Sequence, residues 1–401
     1  MKQGIKHHES AVPFGAAGTV GSRFGAVIKI GLDVHQGFHV GVAQSDHGHP
    51  GAPRRFAPAE FVPWVRGLLK AGHAVQVVHE ACGLGFALYR ELEAAGARCL
   101  VVAPQALDEG RTGIKNDPRD ARALCLRLGR YLDGNRHALA VIRVPSEAEE
   151  RARAEHRQRQ QLVRHRNRLQ AQGRALVVNA GQAAPTSHWW RERGWRCLAK
   201  VLPEWVCGQL AVLRPMLAPL DEQIAALGRR IESAAPAEIP HGLGKLTSVM
   251  LTREVCDWHR FANRRQVSSY TGLCPGEYSS GGKRVQGHVT KHGNPRLRAA
   301  LVELAWRLVR FQPQYPPVAK RYVILGKGAR ATGGARKKAI VAVARQLAVD
   351  LWRLHTGRCT ATQLGLRVGT SGEPEAGPAT AAEPAAEPAG KEVVDSRGEQ
   401  A

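Results

Sequence analysis

The sequence predicts an α/β domain, then a helical linker and a mostly α-helical C-terminal domain. The chain has 401 residues, of which 43% are hydrophobic, so it is long enough for two or three domains with their own cores. Between residues 25 and 145, short β-branched runs alternate with a helix-like run, which indicates a layered α/β domain. After residue 146, the apolar residues recur with the spacing of helices.

The first segment, residues 25–145, contains four predicted strands. "AVIKIGLDV" and "FHVGVAQS" are separated by a tight turn and predict an antiparallel hairpin. "HAVQVVHE" and "RCLVVAP" are short β-branched runs, each typical of a strand. Between them, "GFALYRELEAAG" predicts a helix that ends at Gly96.

Residues 146–236 predict a helical linker of coiled-coil type. Ser146 and Glu149 match a capping box at the start of a long, arginine-rich helix, which either crosses solvent or lies on a charged partner. Farther along, apolar residues follow a repeating four-three spacing: Val206, Leu210, Leu213, Leu217, Leu220, Ile224, Leu227 and Ile231. Pro215 and Pro219 predict a break in this helix, with Pro219 starting a new one. The stripe fits either a helix hairpin within one chain or a seam between subunits.

Residues 237–366 predict a third, mostly helical domain. It opens with a Gly-rich turn that enters a helix in "IPHGLGKLTSVML". A later helix is predicted to have Asn294 as its cap and Pro295 in its first turn, and "ARKKAIVAVARQLAVDLWRLH" predicts a final helix. Residues 1–24 are expected to form a flexible arm, and residues 367–401 a disordered acidic tail.

The charge balance indicates nucleic acid as a partner. There are 58 Lys and Arg residues against 34 Asp and Glu, a net charge of +24. A protein with so strong a positive charge most commonly binds a polyanion such as nucleic acid. The eight cysteines show no zinc spacing and are expected to be buried, reduced side chains. No apolar run is long enough to span a membrane and no signal peptide is evident, so a cytoplasmic protein without a membrane partner is expected.

Four acidic residues form a candidate metal site. Asp33 interrupts the apolar pattern of "KIGLDVH", and Glu80 ends the strand "AVQVVHE". Asp117 and Asp120 lie in "KNDPRDARAL", where an acid at the cap and a proline at the first position are also ordinary chemistry for a helix start. Taken alone, the Asp117 and Asp120 pair is better explained by capping than by catalysis.

The other two acids favour a metal site at this place. In a layered α/β domain, strand ends meet helix starts along one edge, so the four carboxylates are expected to converge. Their charges would repel unless a cation neutralised them, and oxygen ligands prefer Mg²⁺ or Mn²⁺. Two such ions would hold both oxygens of an in-line phosphoryl displacement.

The segment "PGEYSSGGKRVQGHVTKHGNPR" is a second candidate site. It combines adjacent serines, Gly281 and Gly282, and the cations Lys283 and Arg284. The glycines allow the backbone to approach a phosphate, and the cations would stabilise the charge on a phosphate under attack. Spacing alone favours the alternative of a flexible basic loop that clamps DNA without chemistry.

Several motifs together resemble the transposases of the insertion sequence 110 family, most closely its 1111 subgroup. They are "IGLDVH", "VVHEACGLGFALYRELEAAG", "KNDPRDARAL", "YTGLCPGEYSSGGKRVQGHVTKHGNPRLRAALVE" and "ARKKAIVAVARQLA". Their order and spacing match over about residues 25–360, which is nearly the whole chain apart from its two ends. The long N-terminal arm and the acidic tail depart from the compact family pattern.

The resemblance implies an RNase H-like (RuvC-like) N-terminal domain with an Asp-Glu-Asp-Asp metal site, a coiled-coil linker, and a C-terminal domain whose serine attacks DNA. The metal-site residues match Asp33, Glu80, Asp117 and Asp120, and the serine matches Ser280, with its neighbour Ser279 as the alternative. The candidate nucleic-acid contacts are Lys115, Arg119, Gly281, Lys283, Arg284, Lys291 and Arg296.

We therefore expect a bacterial transposase that cuts and rejoins DNA through a serine-linked intermediate. We expect it to act in the cytoplasm, associated with the nucleoid. The resemblance also implies a structured guide RNA from the ends of the element and assembly into dimers or tetramers. Two alternatives stand beside this hypothesis. The first is a metal-dependent junction nuclease that uses water as its nucleophile, and the second is a nucleic-acid binding protein without catalysis.

Overall fold

The computed structural model describes residues 25–104, 117–185 and 188–370. Its first unit is a five-stranded sheet with the order β3-β2-β1-β4-β5. The strands are β1 (Val27–Val34), β2 (His39–Ser45), β3 (Arg54–Phe56), β4 (Ala74–Glu80) and β5 (Arg98–Val102). β1 is antiparallel to β2 and parallel to β4. The predicted hairpin and both later strands are confirmed, whereas the short edge strand β3 was not predicted.

Helices cover both faces of this sheet. Helices α1 (Pro58–Lys70) and α2 (Ala87–Ala94) pack on one face, where Ile30 and Leu32 are fully buried. Helix α3 (Asp117–Leu132) packs on the other face, against β1 and β2. The strand order and the α/β layers agree with the RNase H-like domain that the resemblance implies. Helix α1 was not predicted from the sequence; it begins after Ala57, whose backbone amide donates to Glu60 Oε2 at 2.9 Å.

Gly31 allows α3 to lie unusually close to β1. A Cβ atom at this position would collide with the backbone of Ala121 and Cys125 in α3. The Cys125 thiol donates to the Lys29 carbonyl oxygen at 3.4 Å, so the two elements are also joined by a hydrogen bond. This close approach brings the first turn of α3 to the end of β1, where Asp33 lies.

Two long helices form the middle of the chain. Helix α4 (Glu147–Asn179) begins at Ser146, whose capping box with Glu149 is confirmed. Short helix α5 (Glu192–Leu198) leads into α6 (Glu204–Glu232). Ion pairs join Glu155 to Arg230 and Arg166 to Asp221, so α4 and α6 run antiparallel. The apolar stripe of α6 therefore packs against α4 within one chain.

The predicted break in α6 is wrong. The helix is continuous from Glu204 to Glu232, with Pro215 and Pro219 inside it. Both prolines are exposed, so the carbonyl groups that lose their amide partners lie on the solvent side and are accessible to water. The buried stripe on the opposite side keeps its packing through this region.

The C-terminal unit is built on six helices. They are α7 (Lys245–Val255), α8 (Arg264–Thr271), α9 (Pro295–Phe311), α10 (Pro316–Ala319), α11 (Tyr322–Leu325) and α12 (Gly333–His355). Its core joins α9 and α12 through residues such as Leu304 and Leu347, which are fully buried. The predicted cap of α9 is confirmed, because the Asn294 side chain accepts hydrogen bonds from the amides of Arg296 and Leu297.

Two small sheets complete this unit. Strands β7 (Pro275–Ser280) and β8 (Lys283–Val289) form an antiparallel hairpin, where the sequence analysis expected a loop. Strands β6 (Glu238–Pro240) and β9 (Val368–Thr370) pair farther along the chain. The expected tail began at residue 367, but buried Gln312 accepts from the Arg367 amide and holds the start of β9 in place. The rest of the expected tail, from residue 371, and the arm of residues 1–24 lie outside the described residues.

The cysteines only partly match expectation. All eight are free thiols, but Cys82 and Cys197 are exposed, and only Cys99 and Cys125 are fully buried. Cys82 follows the open end of β4, and Cys197 lies on the outer side of the short helix α5. Within the three described ranges, no helix has both the length and the apolar character needed to cross a membrane.

Candidate functional site

The acidic residues lie where the central strands end and α3 begins. The parallel register pairs Leu32 with His79, so the next residues, Asp33 and Glu80, stand side by side at the carboxyl ends of β1 and β4. Asp117 is the first residue of α3, and Asp120 follows one turn later. The predicted meeting of strand ends and helix start is therefore observed.

Asp33, His35 and Asp117 form the tightest part of this group. Their ligand atoms lie within 4.8 Å of one another. His35 Nε2 lies 3.2 Å from Asp33 Oδ2 and 3.4 Å from Asp117 Oδ2. The imidazole thus bridges two carboxylates that come from different elements of the fold.

Burial and the neighbouring carboxylates oppose ionisation of Asp33. Burial raises the pKa of Asp33, hydrogen bonding and the charge of His35 lower it, and the negative charges of Asp117 and Asp120 raise it again. The net pKa lies above the ordinary value of 3.8. A positive ion at this place would remove the repulsion among the carboxylates.

The donor set fits a divalent metal ion. Carboxylate oxygens from Asp33 and Asp117 converge, and His35 Nε2 offers a nitrogen donor beside them. Oxygen-rich sets favour Mg²⁺ or Mn²⁺, and imidazole is more compatible with Mn²⁺ than with Mg²⁺. His35 was not predicted as a site residue, although it follows Asp33 by two residues and therefore faces the same side of the strand end.

The other candidates around this site are placed differently. Asp120 is almost fully buried and lies near enough to Asp33 to influence its pKa, but its oxygens are outside the 4.8 Å group. Glu80 is half-buried beside Asp33 and is likewise outside that group. Arg119 is exposed on the first turn of α3. Lys115 precedes the helix and lies outside the described residues.

The serine segment forms the tip of the hairpin β7–β8. Ser280 is paired with Lys283 across a two-residue turn made by Gly281 and Gly282. The glycine φ angles are 56° and 81°, in the left-handed region that this turn requires and that glycine adopts without strain. Arg284 pairs with Ser279 in the same register. The turn therefore places Ser280 at the last strand position before an exposed tip.

Successive residues of a strand alternate between its two faces, so Glu277 and Ser279 share one face of β7. Ser279 donates its hydroxyl hydrogen bond to Glu277 Oε1 at 2.8 Å, on the same face two residues earlier. Tyr278, between them on the other face, has a fractional exposure of 76%. The hairpin thus presents Ser279 together with a carboxylate.

The base of the hairpin is fixed to the helices below it. Arg298 Nη1 donates to the carbonyl oxygens of Thr271 and Lys291, at 3.2 and 3.0 Å, and so joins the two ends of the hairpin segment. Lys291 itself is exposed and has a φ of 57°. Asn294 caps α9 directly after the hairpin and also donates to Glu254 Oε2 at 2.8 Å. The exposed tip therefore stands on a well-connected base.

The two candidate sites do not share a packed interface. Among the described residues, the extensive packing of the hairpin is between its own strands, whereas α3 packs on β1, β2 and β4. The structure thus brings Asp33, Asp117 and Asp120 together with Glu80 beside them, but it does not pack the serine hairpin against them.

Comparisons with known proteins agree with the two-site architecture. Residues 30–180 match the family model of DEDD transposases of the IS110 type. Residues 237–320 match the model of the transposase IS116/IS110/IS902 family. Both candidate sites fall within these matches: the four acids in the first and Ser280 in the second.

Individual relatives give the same result. The y4rJ protein of Sinorhizobium fredii, which carries a transposase name, is 32% identical over 307 residues, covering 69% of this chain and 76% of that protein. The transposase for insertion sequence element IS1328 of Yersinia enterocolitica is 26% identical over 295 residues, covering 70% and 83% of the two chains. The transposase for IS1111A of Coxiella burnetii is 26% identical over 275 residues, covering 64% and 71%.

A non-catalytic binding protein does not fit these matches or the convergence of the acidic residues. The two family models and the coverage of the relatives show that the chain belongs to the IS110 family of transposases, enzymes that cleave and rejoin DNA during transposition.

Proposed function

We propose that this transposase cuts and rejoins DNA through a covalent bond between Ser280 and a DNA phosphate. The observation that carries the proposal is the hairpin: Ser280 ends β7 at an exposed turn of two glycines, within a segment that matches the transposase family model. Gly281 and Gly282 leave room for a phosphate, and Lys283 and Arg284 follow directly in the sequence.

The proposed exchange keeps its atoms and charges in balance. The Ser280 hydroxyl oxygen forms a bond to phosphorus while one phosphodiester P–O bond breaks, and the hydroxyl proton passes to the released deoxyribose oxygen. The hydroxyl of a second strand then attacks the same phosphorus and releases the serine. Because a phosphodiester is formed for each one broken, the exchange needs no ATP.

We further propose that Asp33, Glu80, Asp117 and Asp120 hold divalent metal, with Mg²⁺ or Mn²⁺ as the ion. Support comes from the convergence of Asp33 and Asp117 with His35, and from the burial and neighbouring carboxylates that together raise the pKa of Asp33. When bound, the ion would neutralise charge on the scissile phosphate and orient its oxygens. The four carboxylates would hold the ion, and His35, which lies between Asp33 and Asp117, would fix the position of these two side chains.

A structured RNA from the element and assembly into dimers or tetramers are also part of the proposal. The net charge of +24 supplies a positive surface for a polyanion. Assembly would allow the hairpin of one subunit to meet the acidic site of another, which suits the lack of packing between these two sites within one chain.

Trapping on a suicide substrate tests the serine. A DNA end with a nick beside the cleavage point loses its leaving fragment, so an attacked phosphate stays attached to the protein. The wild type and Ser279→Ala should give protein–DNA adducts, and Ser280→Ala should give none. If the adduct instead disappears in Ser279→Ala and persists in Ser280→Ala, the nucleophile is Ser279, with Glu277 as its hydrogen-bond partner.

A metal-dependent nuclease is the second candidate, because the acidic site is assembled within one chain without the hairpin. In that case water attacks the phosphate, cleavage leaves free ends, and no adduct forms in any variant. Cleavage would then be lost in Asp33→Asn and unaffected in Ser280→Ala. Analysis of the DNA ends therefore separates the two functions.

A further inference from the structure

A buried carboxylate organises the junction of α4, α7 and α9. The Glu254 side chain is fully buried and accepts hydrogen bonds from His156 Nε2 at 2.8 Å, from Arg157 at 3.0 and 2.9 Å, and from Asn294 Nδ2 at 2.8 Å. Burial alone would raise the pKa of Glu254, but these bonds outweigh it and hold the pKa well below its ordinary value. The carboxylate is therefore charged, and both of its oxygens accept hydrogen bonds.

More positive charge surrounds this carboxylate than it can neutralise. We use the term arginine face for four arginines at this junction: Arg157, which bonds to Glu254, Arg296, and Arg153 and Arg164, whose charges act on Arg296. Only Arg157 bonds to Glu254, and none of the other three forms an ion pair with a residue in the described parts of the chain. The Nε atoms of Arg153 and Arg296 are buried and have no hydrogen-bond acceptor there.

The four side chains share one surface. Arg153, Arg157 and Arg164 are spaced by four and seven residues, so they lie on the same side of α4. Arg296 comes from the first turn of α9, where no acidic residue is present. Burial lowers the pKa of Arg296, and the charges of Arg157, Arg164 and Arg153 lower it further, so these groups are close enough to repel.

Positive charges in excess of the one nearby carboxylate, Glu254, fit an anionic ligand. Guanidinium groups bind phosphates through paired N–H donors, and a row of phosphates would relieve the repulsion among them. The arginine face lies at the base of the serine hairpin, because Arg296 follows Asn294, which joins α9 to both Glu254 and the end of the hairpin segment. A strand that reaches the hairpin tip therefore lies near this surface.

We propose that the arginine face binds the phosphate backbone of the DNA duplex on which the serine hairpin acts. This inference rests on the proposed function of the hairpin for its choice of DNA as the polyanion. Glu254 holds Arg157 in place and cancels one charge, and the remaining three cations are available to phosphates. The contacts carry no sequence information, so they position the duplex without selecting the target.

The test measures binding of the full chain to a fluorescein-labelled DNA duplex and to an RNA hairpin of equal charge, by anisotropy from 50 to 200 mM salt. Arg153→Gln, Arg164→Gln and Arg296→Gln should each weaken DNA binding by roughly ten-fold and reduce the salt slope by about 1. RNA binding should change much less. Arg164 is exposed, so its variant reports on binding even where a more buried substitution disturbs folding.

Arg151→Gln is the matched control. Arg151 lies on the same turn of α4 as Arg153 but about 200° around the helix, is 78% exposed and pairs with Glu147. The Arg151→Gln variant loses one positive charge, as each arginine-face variant does. It should lower DNA affinity by no more than about two-fold, because only the long-range electrostatic field changes. Equal effects in Arg151→Gln and in the three arginine-face variants would overturn the proposal.

Thermal unfolding separates binding from structural support. Removing one of several repelling charges should leave the melting temperature unchanged or raise it, although DNA affinity falls. If RNA binding falls while DNA binding does not, the assignment to DNA is overturned. These outcomes are distinct from failure of the proposed function, which would appear as adducts that persist in Ser280→Ala while the arginine variants still bind DNA weakly.

Discussion

Substitution of Glu254 by glutamine should destabilise the C-terminal unit strongly. The change keeps the size of the side chain but removes the charge that three side chains surround. The Arg157 side chain is only 30% exposed, so its guanidinium would lose the one carboxylate that it pairs with among the described residues while remaining partly desolvated. Removal of one partner from a buried ion pair costs about 3–5 kcal/mol.

Urea denaturation followed by far-UV circular dichroism measures this cost. Glu303→Gln serves as the control, because Glu303 is exposed on α9 and its substitution should change the unfolding free energy by no more than about 0.5 kcal/mol. The slope of the transition should be the same in both variants, so that a shift of the midpoint reports stability alone. A loss of less than about 1 kcal/mol in Glu254→Gln would refute the role of this carboxylate.

The dependence on pH follows from the same site. The pKa of folded Glu254 lies below its ordinary value of 4.5, so the stability contributed by its charge is present above about pH 4.5. That contribution is lost as the pH falls through the folded pKa. Glu254→Gln has no such charge to protonate, so the difference in stability between it and the wild type should narrow as the pH falls below 4.5. A constant difference over this range would contradict the assignment.

Two other regions give direct tests. Gly31→Ala should force α3 away from β1, which lowers the unfolding free energy by about 1–3 kcal/mol and reduces DNA cleavage. Gly67→Ala, with open space around it in α1, should not destabilise the protein. Equal melting temperatures of the two variants would exclude the close approach of α3 to β1 as a constraint on stability. Mn²⁺ should raise the melting temperature of the wild type but not that of Asp33→Asn. Without metal, Asp33→Asn should be no less stable than the wild type, because burial and the neighbouring carboxylates oppose the charge of Asp33. An equal response of both proteins to Mn²⁺ would place the ion elsewhere.

Much of the first domain could be predicted because its signals are local. The alternating apolar residues around Ile30 and the β-branched run that ends at Glu80 are enough to identify strands. Parallel strands place their ends on one edge, which led to the grouping of Asp33 with Glu80 and Asp117. Edge strand β3 has three residues, too few to form a recognisable pattern, and was missed.

The missed features depend on long-range packing. His35 is one histidine among 17, and only the folded structure shows that it bridges Asp33 and Asp117. Pro215 suggested a helix break because its position on the exposed side of α6 was unknown. The segment of Gly281 and Gly282 was expected to be a loop whose backbone approaches a phosphate, whereas the positive φ angles of these glycines form a tight hairpin turn.

Helix α4 connects the N-terminal unit to the C-terminal unit. Near its start, Glu150 pairs with Arg90 of α2, and within two turns its residues grip Arg253 and Glu254 of α7. Hinge motion between the units is thereby resisted at one end, while the other end extends about 30 Å farther to Asn179. A force applied to α4 near Asn179 would therefore be transmitted along the helix to its contacts with α2 and α7, and so to both units at once.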